Sequence, residues 1–292
     1  MNAILNLDRR IIYTIVFLFV TLPLLYPLKI KFTPTTEVKR AFDDIQALEP
    51  GSVVIISCDY GPASMPETDP MYITLLHQCF RRKLRPIIMT LVPDGPGLAL
   101  RGLRKVLDSK DPKTGELYYP DIKEGVDYSY LGYKPGTSAV MLGIGQSFTA
   151  TFPQDYAGNQ TRTQPLFKEI QALGDVQYIF DIAAVGMPEA WLPYGASREK
   201  KPMSVCCTAV SAAQYYPYYS SRQFKGLVGG MKGSAEYELL MGMEGILGRV
   251  PDATRGMDAQ SLVHIFIVFS IIIANLLYFL DRRYKAADRR AG

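Results

Sequence analysis

Histidine is the scarcest functional side chain here, because the 292 residues include only two, His77 and His264. Histidine is the most common general base near neutral pH. His77 lies in a predicted helix beside Gln78 and Cys79, and His264 lies inside an apolar run. The sequence therefore disfavours a histidine-based mechanism or a Cys-His nucleophile pair, and it assigns no catalytic residue. An aspartate or lysine mechanism stays open.

Cysteine is also sparse, and its spacing matches no metal or disulfide framework. The chain has four cysteines, Cys58, Cys79, Cys206 and Cys207, without the paired CxxC spacing of a zinc site. We expect no metal site and read these residues as buried strand and helix side chains. So few cysteines mildly disfavour an oxidising compartment, in tension with the membrane topology inferred below.

The chain has little net charge, formally +4 at pH 7. Binding of a phosphate backbone requires a dense basic face, whereas acidic and basic residues are interspersed here, so no nucleic-acid partner is expected. The glycine-rich stretch 226–234 fits neither G-x-x-x-x-G-K-[ST] nor G-x-G-x-x-G. We interpret it as tight turns and predict no cofactor.

Two apolar runs, residues 11–28 and 261–280, lie near the two ends of the chain. Each has the length of a membrane-spanning helix, and the first lacks the small-residue cleavage site of a signal peptide. The predicted organisation is a short tail (1–10), a first span (11–28), a water-soluble domain (29–260), a second span (261–280) and a basic tail (281–292).

The charges that flank the spans indicate the orientation. The tail after the second span is rich in arginine and lysine (Arg282, Arg283, Lys285, Arg289, Arg290), against Arg249 and Arg255 before it. The lysine and arginine residues that flank the first span favour the opposite orientation. Giving the second span more weight, we predict a protein of the cytoplasmic membrane with both termini in the cytoplasm and the domain on the outer side.

Short β-branched runs alternate with helical patterns through the domain. Strands are predicted at 53–58, 86–92, 126–132, 176–181, 203–207 and 224–228. Helices are predicted at 70–83, 98–107, from 137, and at 165–173, 188–194 and 234–247, with a surface excursion at 108–124. The fold class is α/β, a doubly wound, mostly parallel, Rossmann-like sheet flanked by an N-terminal and a C-terminal transmembrane helix.

Ligands of such folds bind beyond the carboxyl ends of the strands, and polar residues follow those ends here. The candidate ligand-binding residues are Asp59, Ser64, Glu67, Asp94, Lys134, Thr137, Asp181 and Thr208. The carboxylates could hold a hard cation, or Lys134 and the start of the following helix could hold an anion. Alternatively, these residues are ordinary helix caps and turns. All three interpretations stay open.

Partner contacts are predicted at two places. Asn275 is a polar side chain inside the second apolar run, where a neighbouring helix would satisfy it. A tyrosine cluster surrounds Pro217 and consists of Tyr215, Tyr216, Tyr218 and Tyr219; such clusters favour protein contacts, although packing under a loop would explain it equally. The expected partners are the lipid bilayer and other membrane subunits, or self-association through the helices.

The sequence thus leaves two functions open. The first is a non-catalytic binding or scaffold subunit of a larger membrane complex. The alternative is a membrane-tethered α/β enzyme that acts on a small or phosphorylated substrate at the strand ends. The architecture itself does not decide between them.

Overall fold

A computed structural model describes residues 8–184 and 186–291. The chain divides into two compact units. One is Phe32–Thr254, and the other combines the chain up to Lys31 with the chain from Arg255 onward.

The unit Phe32–Thr254 alternates strands with helices. Its strands are β1 (Val53–Asp59), β2 (Arg85–Thr90), β3 (Ser129–Tyr133), β4 (Tyr178–Ala183), β5 (Met203–Cys207) and β6 (Gly226–Gly229). In chain order, the helices of the whole chain are α1 (Arg9–Leu25), α2 (Thr36–Gln46), α3 (Met65–Arg81), α4 (Gly95–Leu107), α5 (Thr137–Gln146), α6 (Phe148–Thr151), α7 (Pro165–Glu169), α8 (Met187–Trp191), α9 (Ala209–Ser220), α10 (Gly230–Met241), α11 (Met243–Leu247) and α12 (Asp252–Ala291).

The strands form one six-stranded sheet in the order β3-β2-β1-β4-β5-β6. All its strand pairs are parallel, so every strand ends at the same edge. The chain first builds outward from β1 to β3, then crosses back to add β4 beside β1. This strand order is that of the doubly wound dinucleotide-binding architecture, in which the crevice between the first and fourth strands receives the ligand.

Helices cover both faces of the sheet, which explains why the strands are buried on both sides. One face packs against α2, α3, α4 and α10 through a core that includes Ile45, Leu75 and Tyr237. The other face packs against α5 to α9 through a core that includes Met141 and Trp191. The predicted α/β class with a parallel sheet is therefore confirmed.

Several predicted strand boundaries were wrong. β3 begins at Ser129 rather than at 126, because Gly125 has φ +79° and residues 125–127 form a turn. β4 covers Tyr178–Ala183 instead of 176–181, so Asp181 lies inside the strand. β6 covers Gly226–Gly229 instead of 224–228.

The helices were also misplaced in part. α3 begins at Met65 rather than at 70, because Pro66 already supplies a helical φ in the first turn. The predicted helix 234–247 is two helices, α10 and α11, separated by Gly242 at φ +68°. The predicted helix 188–194 is α8, which ends at Trp191 and passes into a π-helical turn, Leu192–Ala196. The helices α2 and α9 were not predicted.

The other unit contains α1 and most of α12. Within it, the rings of Phe19 and Phe266 meet edge to face at 5.6 Å between centroids. The carboxylate of Asp258 accepts hydrogen bonds from the backbone N–H groups of Lys29 (2.9 Å) and Ile30 (3.0 Å). These contacts join the chain that follows α1 to the early turns of α12.

One helix in the described part of the chain is long and apolar enough to cross a membrane, Asp252–Leu280. It includes the whole predicted second span. The helix α1 has 17 residues and ends at Leu25, so the predicted first span, 11–28, is helical over only part of its length. Pro27, two residues after the end of α1, explains this end, because the residue that precedes a proline avoids helical geometry.

Candidate functional site

The candidate site lies at the carboxyl ends of β1 and β4, the two central strands where the strand order reverses. Ser57 on β1 is paired with Asp181 on β4, and Asp59 is paired with Ala183. Side chains alternate between faces along a strand, so Ser57, Asp59 and Asp181 all point to the same face of the sheet, the one covered by α5 to α9.

Asp59 is fully buried and held by several donors. Its Oδ2 accepts the hydroxyl of Ser57 at 2.5 Å, and its Oδ1 accepts the backbone N–H of Leu91 at 2.5 Å. The hydroxyl of Thr90 on β2 lies 3.4 Å from the same Oδ1. Burial raises the pKa of Asp59 to about 6, and the bonds from Ser57 and Leu91 oppose the rise because they stabilise the charged form.

Asp181 is also fully buried, but no hydrogen-bond partner for either of its carboxyl oxygens is found in residues 8–184 and 186–291. Burial raises the pKa of Asp181 well above its ordinary value, and the charge of Asp59 raises it further. A protonated Asp181 would donate to Asp59, which would give both side chains a partner. The two carboxyl groups thus form one buried pair that favours a single shared proton.

A pair of this kind has a defined chemistry. Two neighbouring carboxyl groups with different pKa values supply one proton acceptor and one proton donor at the same place. Asp59, whose pKa is about 6, is the candidate acceptor, and Asp181, whose pKa is raised well above its ordinary value, is the candidate donor. Strongly perturbed carboxyl groups at the ligand-binding edge of a fold mark a candidate active site.

Trp191 adds a second unpartnered polar group on the same face of the sheet. Its ring is fully buried in the core beneath α8, and the indole Nε1 has no hydrogen-bond partner among the residues that the structure describes. Trp191 can only donate. Sequence reasoning did not include Ser57 and Thr90, because nothing in a linear sequence shows which side chains of neighbouring strands contact a buried carboxylate.

Three of the predicted site residues have structural roles at the same edge. The carboxylate of Glu67 accepts the backbone N–H of Ala209 at 2.8 Å and so caps α9. The hydroxyl of Thr208 donates to Ser211, and the hydroxyl of Ser64 donates to the carbonyl of Gly61. These contacts agree with the interpretation as caps and turns.

The remaining predicted residues lie further along the edge. Asp94 is exposed at the start of α4. Lys134 follows β3, with its Nζ 5.5 Å from the ring centroid of Phe152. Thr137 begins α5, and its hydroxyl lies 3.9 Å from the sulfur of Met187. The eight residues therefore share one edge of the sheet, where the charge of Asp59 acts on the neighbouring Asp181.

No metal-binding group of three or more His, Cys, Asp or Glu side chains is found in the part of the chain that the structure describes. All four cysteines are free and buried, and burial raises the pKa of the Cys58, Cys79, Cys206 and Cys207 thiols. Thiols in this state are poor nucleophiles at neutral pH.

The predicted partner contacts are largely occupied within the chain. Tyr215 is buried against Phe224, and Tyr218 also packs on that ring, at 5.4 Å between centroids. Tyr216 donates to Glu37 at 2.9 Å, and Tyr219 faces the guanidinium of Arg40. These contacts fix the tyrosines on α9 against α2 and the end of the sheet.

Asn275 is exposed on α12, and its Nδ2 donates to the backbone carbonyl of Ile271 at 2.9 Å. This bond within the helix lowers the cost of placing the amide in lipid. A partner helix at Asn275 stays a prediction.

Comparisons with protein-family models, with curated proteins and with solved structures find no match to this chain. Function therefore has to be inferred from the chemistry of the side chains.

Proposed function

We propose that the protein is a membrane-tethered α/β enzyme that acts on a small or phosphorylated substrate at the carboxyl ends of β1 and β4. Asp59 and Asp181 are its acid–base pair. The observation that carries the proposal is Asp181, a fully buried carboxyl group that receives no hydrogen bond from the described chain. Such a group is costly to retain unless it has a function.

The two carboxyl groups have distinct roles. Ser57 and the N–H of Leu91 hold Asp59 in place and favour its charged form, so it accepts a proton from the substrate. Burial and the charge of Asp59 raise the pKa of Asp181, so it donates a proton to the group that develops negative charge. Both side chains sit on rigid central strands, which fixes the geometry of the transfer.

The membrane part of the proposal is an anchor of two helices, with both termini in the cytoplasm and the α/β domain on the outer side. The contacts Phe19–Phe266 and Lys29–Asp258 support an antiparallel pair of α1 and α12. In such a pair Arg10 and Asn275, each nine residues from the phenylalanine contact, lie at the same level. Arg9 and Arg10 at the start of α1 and the basic residues after residue 281 then share one side of the membrane.

The test is turnover by the full-length protein in detergent or lipid nanodiscs. The protein is incubated with a metabolite extract, and mass spectrometry follows which compounds disappear and which form. We expect one substrate–product pair for the wild type, and loss of that pair in Asp59→Asn and in Asp181→Asn. Asp108→Asn, at an exposed carboxylate at the end of α4, is the matched control and should retain turnover.

The proposal fails if both site variants retain the conversion or if the wild type converts nothing. The second candidate function, a scaffold subunit of a membrane complex, is then favoured. It is favoured by the apolar surface of α12, whose most apolar 18-residue stretch has no buried residue, and by Asn275 within the span. Purification in mild detergent followed by mass spectrometry would then recover a stoichiometric set of membrane partners, and Asn275→Leu should release them.

A further inference from the structure

A concave site opens at the end of β3. It has a volume of about 390 Å³. The residues that line it combine one cation with aromatic and apolar groups, and they include Tyr133, Lys134, Phe152, Tyr156, Pro96 and Leu131. Its position at the carboxyl edge is the position at which α/β folds receive ligands.

The wall of this pocket depends on an unusual backbone position. Gly132 on β3 has φ +73°, and a Cβ atom there would lie 2.7 Å from the ring of Tyr156. The missing side chain lets Tyr156 lie against the strand, where its ring also meets Tyr130 at 4.8 Å between centroids. The backbone N–H of Tyr156 donates to the carbonyl of Tyr130 at 2.9 Å, which fixes this arrangement.

The cation of the pocket has no anionic partner. Lys134 is half-buried and faces Phe152, and no carboxylate of the described residues lies within ion-pair distance of it. Asp155 also lines the pocket, but its carboxylate already accepts hydrogen bonds from Asn159 and Gln164. The ammonium group of Lys134 is therefore the charged group of the pocket whose hydrogen-bonding capacity is left for a ligand.

We propose that this pocket binds a small monoanion with a planar apolar body, such as an aromatic carboxylate. Lys134 pairs with the anionic group, and the rings of Tyr133, Phe152 and Tyr156 contact the planar part. A single lysine among apolar walls suits one negative charge, whereas a polyphosphate would require several cationic or N–H donors. The volume suits a small molecule rather than a peptide.

This site is separate from the carboxyl pair. In the sheet order, β3 is two strands from β1 and three from β4, and neighbouring strands lie about 4.8 Å apart. Ligand binding at Lys134 and proton transfer at Asp59 and Asp181 can therefore fail independently.

The test uses benzoate as the probe and the full-length protein in detergent. Saturation-transfer NMR and calorimetry should detect benzoate binding to the wild type at millimolar concentrations. Lys134→Met should weaken binding by about 10-fold or more, and Lys134→Arg should retain it. Lys168→Met, at an exposed lysine on α7, is the control and should bind as the wild type does.

Benzyl alcohol has the same ring without the charge. It should bind the wild type much more weakly than benzoate does, and it should bind Lys134→Met and the wild type with equal affinity. Equal benzoate binding by the wild type and Lys134→Met, with both folded, would overturn the assignment. So would the absence of benzoate binding to the wild type.

Discussion

Ser57 and Asp181 stand directly opposite each other in the β1–β4 pair, and the hydroxyl of Ser57 donates to Asp59 rather than to Asp181. Ser57 therefore stabilises one carboxyl group of the pair and leaves the other dependent on a proton. This asymmetry separates the pKa of Asp59, about 6, from that of Asp181, which burial and the neighbouring charge raise further. The pair should therefore affect both proton transfer at the candidate site and the pH dependence of folding stability.

The first prediction concerns the pH dependence of folding. The pKa of Asp59 is raised from 3.8 to about 6 in the folded protein, so ionisation opposes folding, and stability present at low pH is lost as the pH rises through about 6. Asp181 acts in the same direction. Asp181→Asn should therefore raise the melting temperature at about pH 8 while it abolishes turnover, as expected for a residue retained for function.

The fluorescence of Trp191 can report this melting, because it is the only tryptophan and is fully buried. The pH series should run from about pH 4 to about pH 8, with Asp108→Asn as the control that keeps the wild-type profile. An Asp181→Asn profile that matches the wild type would show that the pair does not hold a costly charge.

The second prediction concerns the start of α12. The carboxylate of Glu238 accepts the N–H of Ala253 at 3.0 Å and both the N–H and the hydroxyl of Thr254 at 2.8 Å. Burial raises the pKa of Glu238 to about 7, and the charge of Asp252 contributes to the rise. Stability should therefore decline as the pH rises through about 7, a higher range than for Asp59.

Glu238→Gln keeps an acceptor for these donors but removes the ionisation. We expect a flatter stability profile between about pH 6 and about pH 8, measured by hydrogen exchange at Ala253 and Thr254. Glu244→Gln, on the neighbouring helix α11, is the comparison. An unchanged profile for Glu238→Gln would contradict the assignment.

The third prediction separates backbone strain from steric overlap. At Gly230 (φ +63°), an added Cβ would lie 2.7 Å from the Cβ of Ala209 and 2.9 Å from the carboxylate of Glu67, whereas at Gly242 (φ +68°) it would meet nothing. Gly230→Ala should lower the free energy of unfolding by about 3 kcal/mol and Gly242→Ala by about 1 kcal/mol. Gly97→Ala, in open space without strain, should be neutral or slightly stabilising. Equal losses at Gly230 and Gly242 would show that the contact with Glu67 yields easily.

The fourth prediction concerns topology. All four native cysteines are buried, so an introduced cysteine can be labelled selectively with a membrane-impermeant maleimide. Val210→Cys, at a side chain that is 91% exposed, should react on intact cells. Arg282→Cys should react only after permeabilisation. The reverse pattern would place the α/β domain in the cytoplasm, and labelling of both on intact cells would contradict a paired anchor.

The sequence by itself determined the α/β class, the parallel sheet and the long apolar helix near the C-terminus. These features depend on local signals that survive in a linear chain. Runs such as 53–58 are buried on both faces and so read as almost continuously apolar, and the C-terminal run has the length and apolar composition of a helix that could cross a membrane. Both Asp59 and Asp181 were also predicted, because polar residues near strand ends meet at one edge.

Only the tertiary structure decided which of those polar residues are joined. The sequence cannot show that β4 lies beside β1, since the pairing of distant strands depends on the packing of the helices between them. It could not distinguish Glu67, which caps α9, from Asp181, which lacks a partner in the described chain. Hydrogen bonding between residues far apart in the chain is fixed by the three-dimensional fold, and this separates a structural carboxylate from a candidate catalytic one.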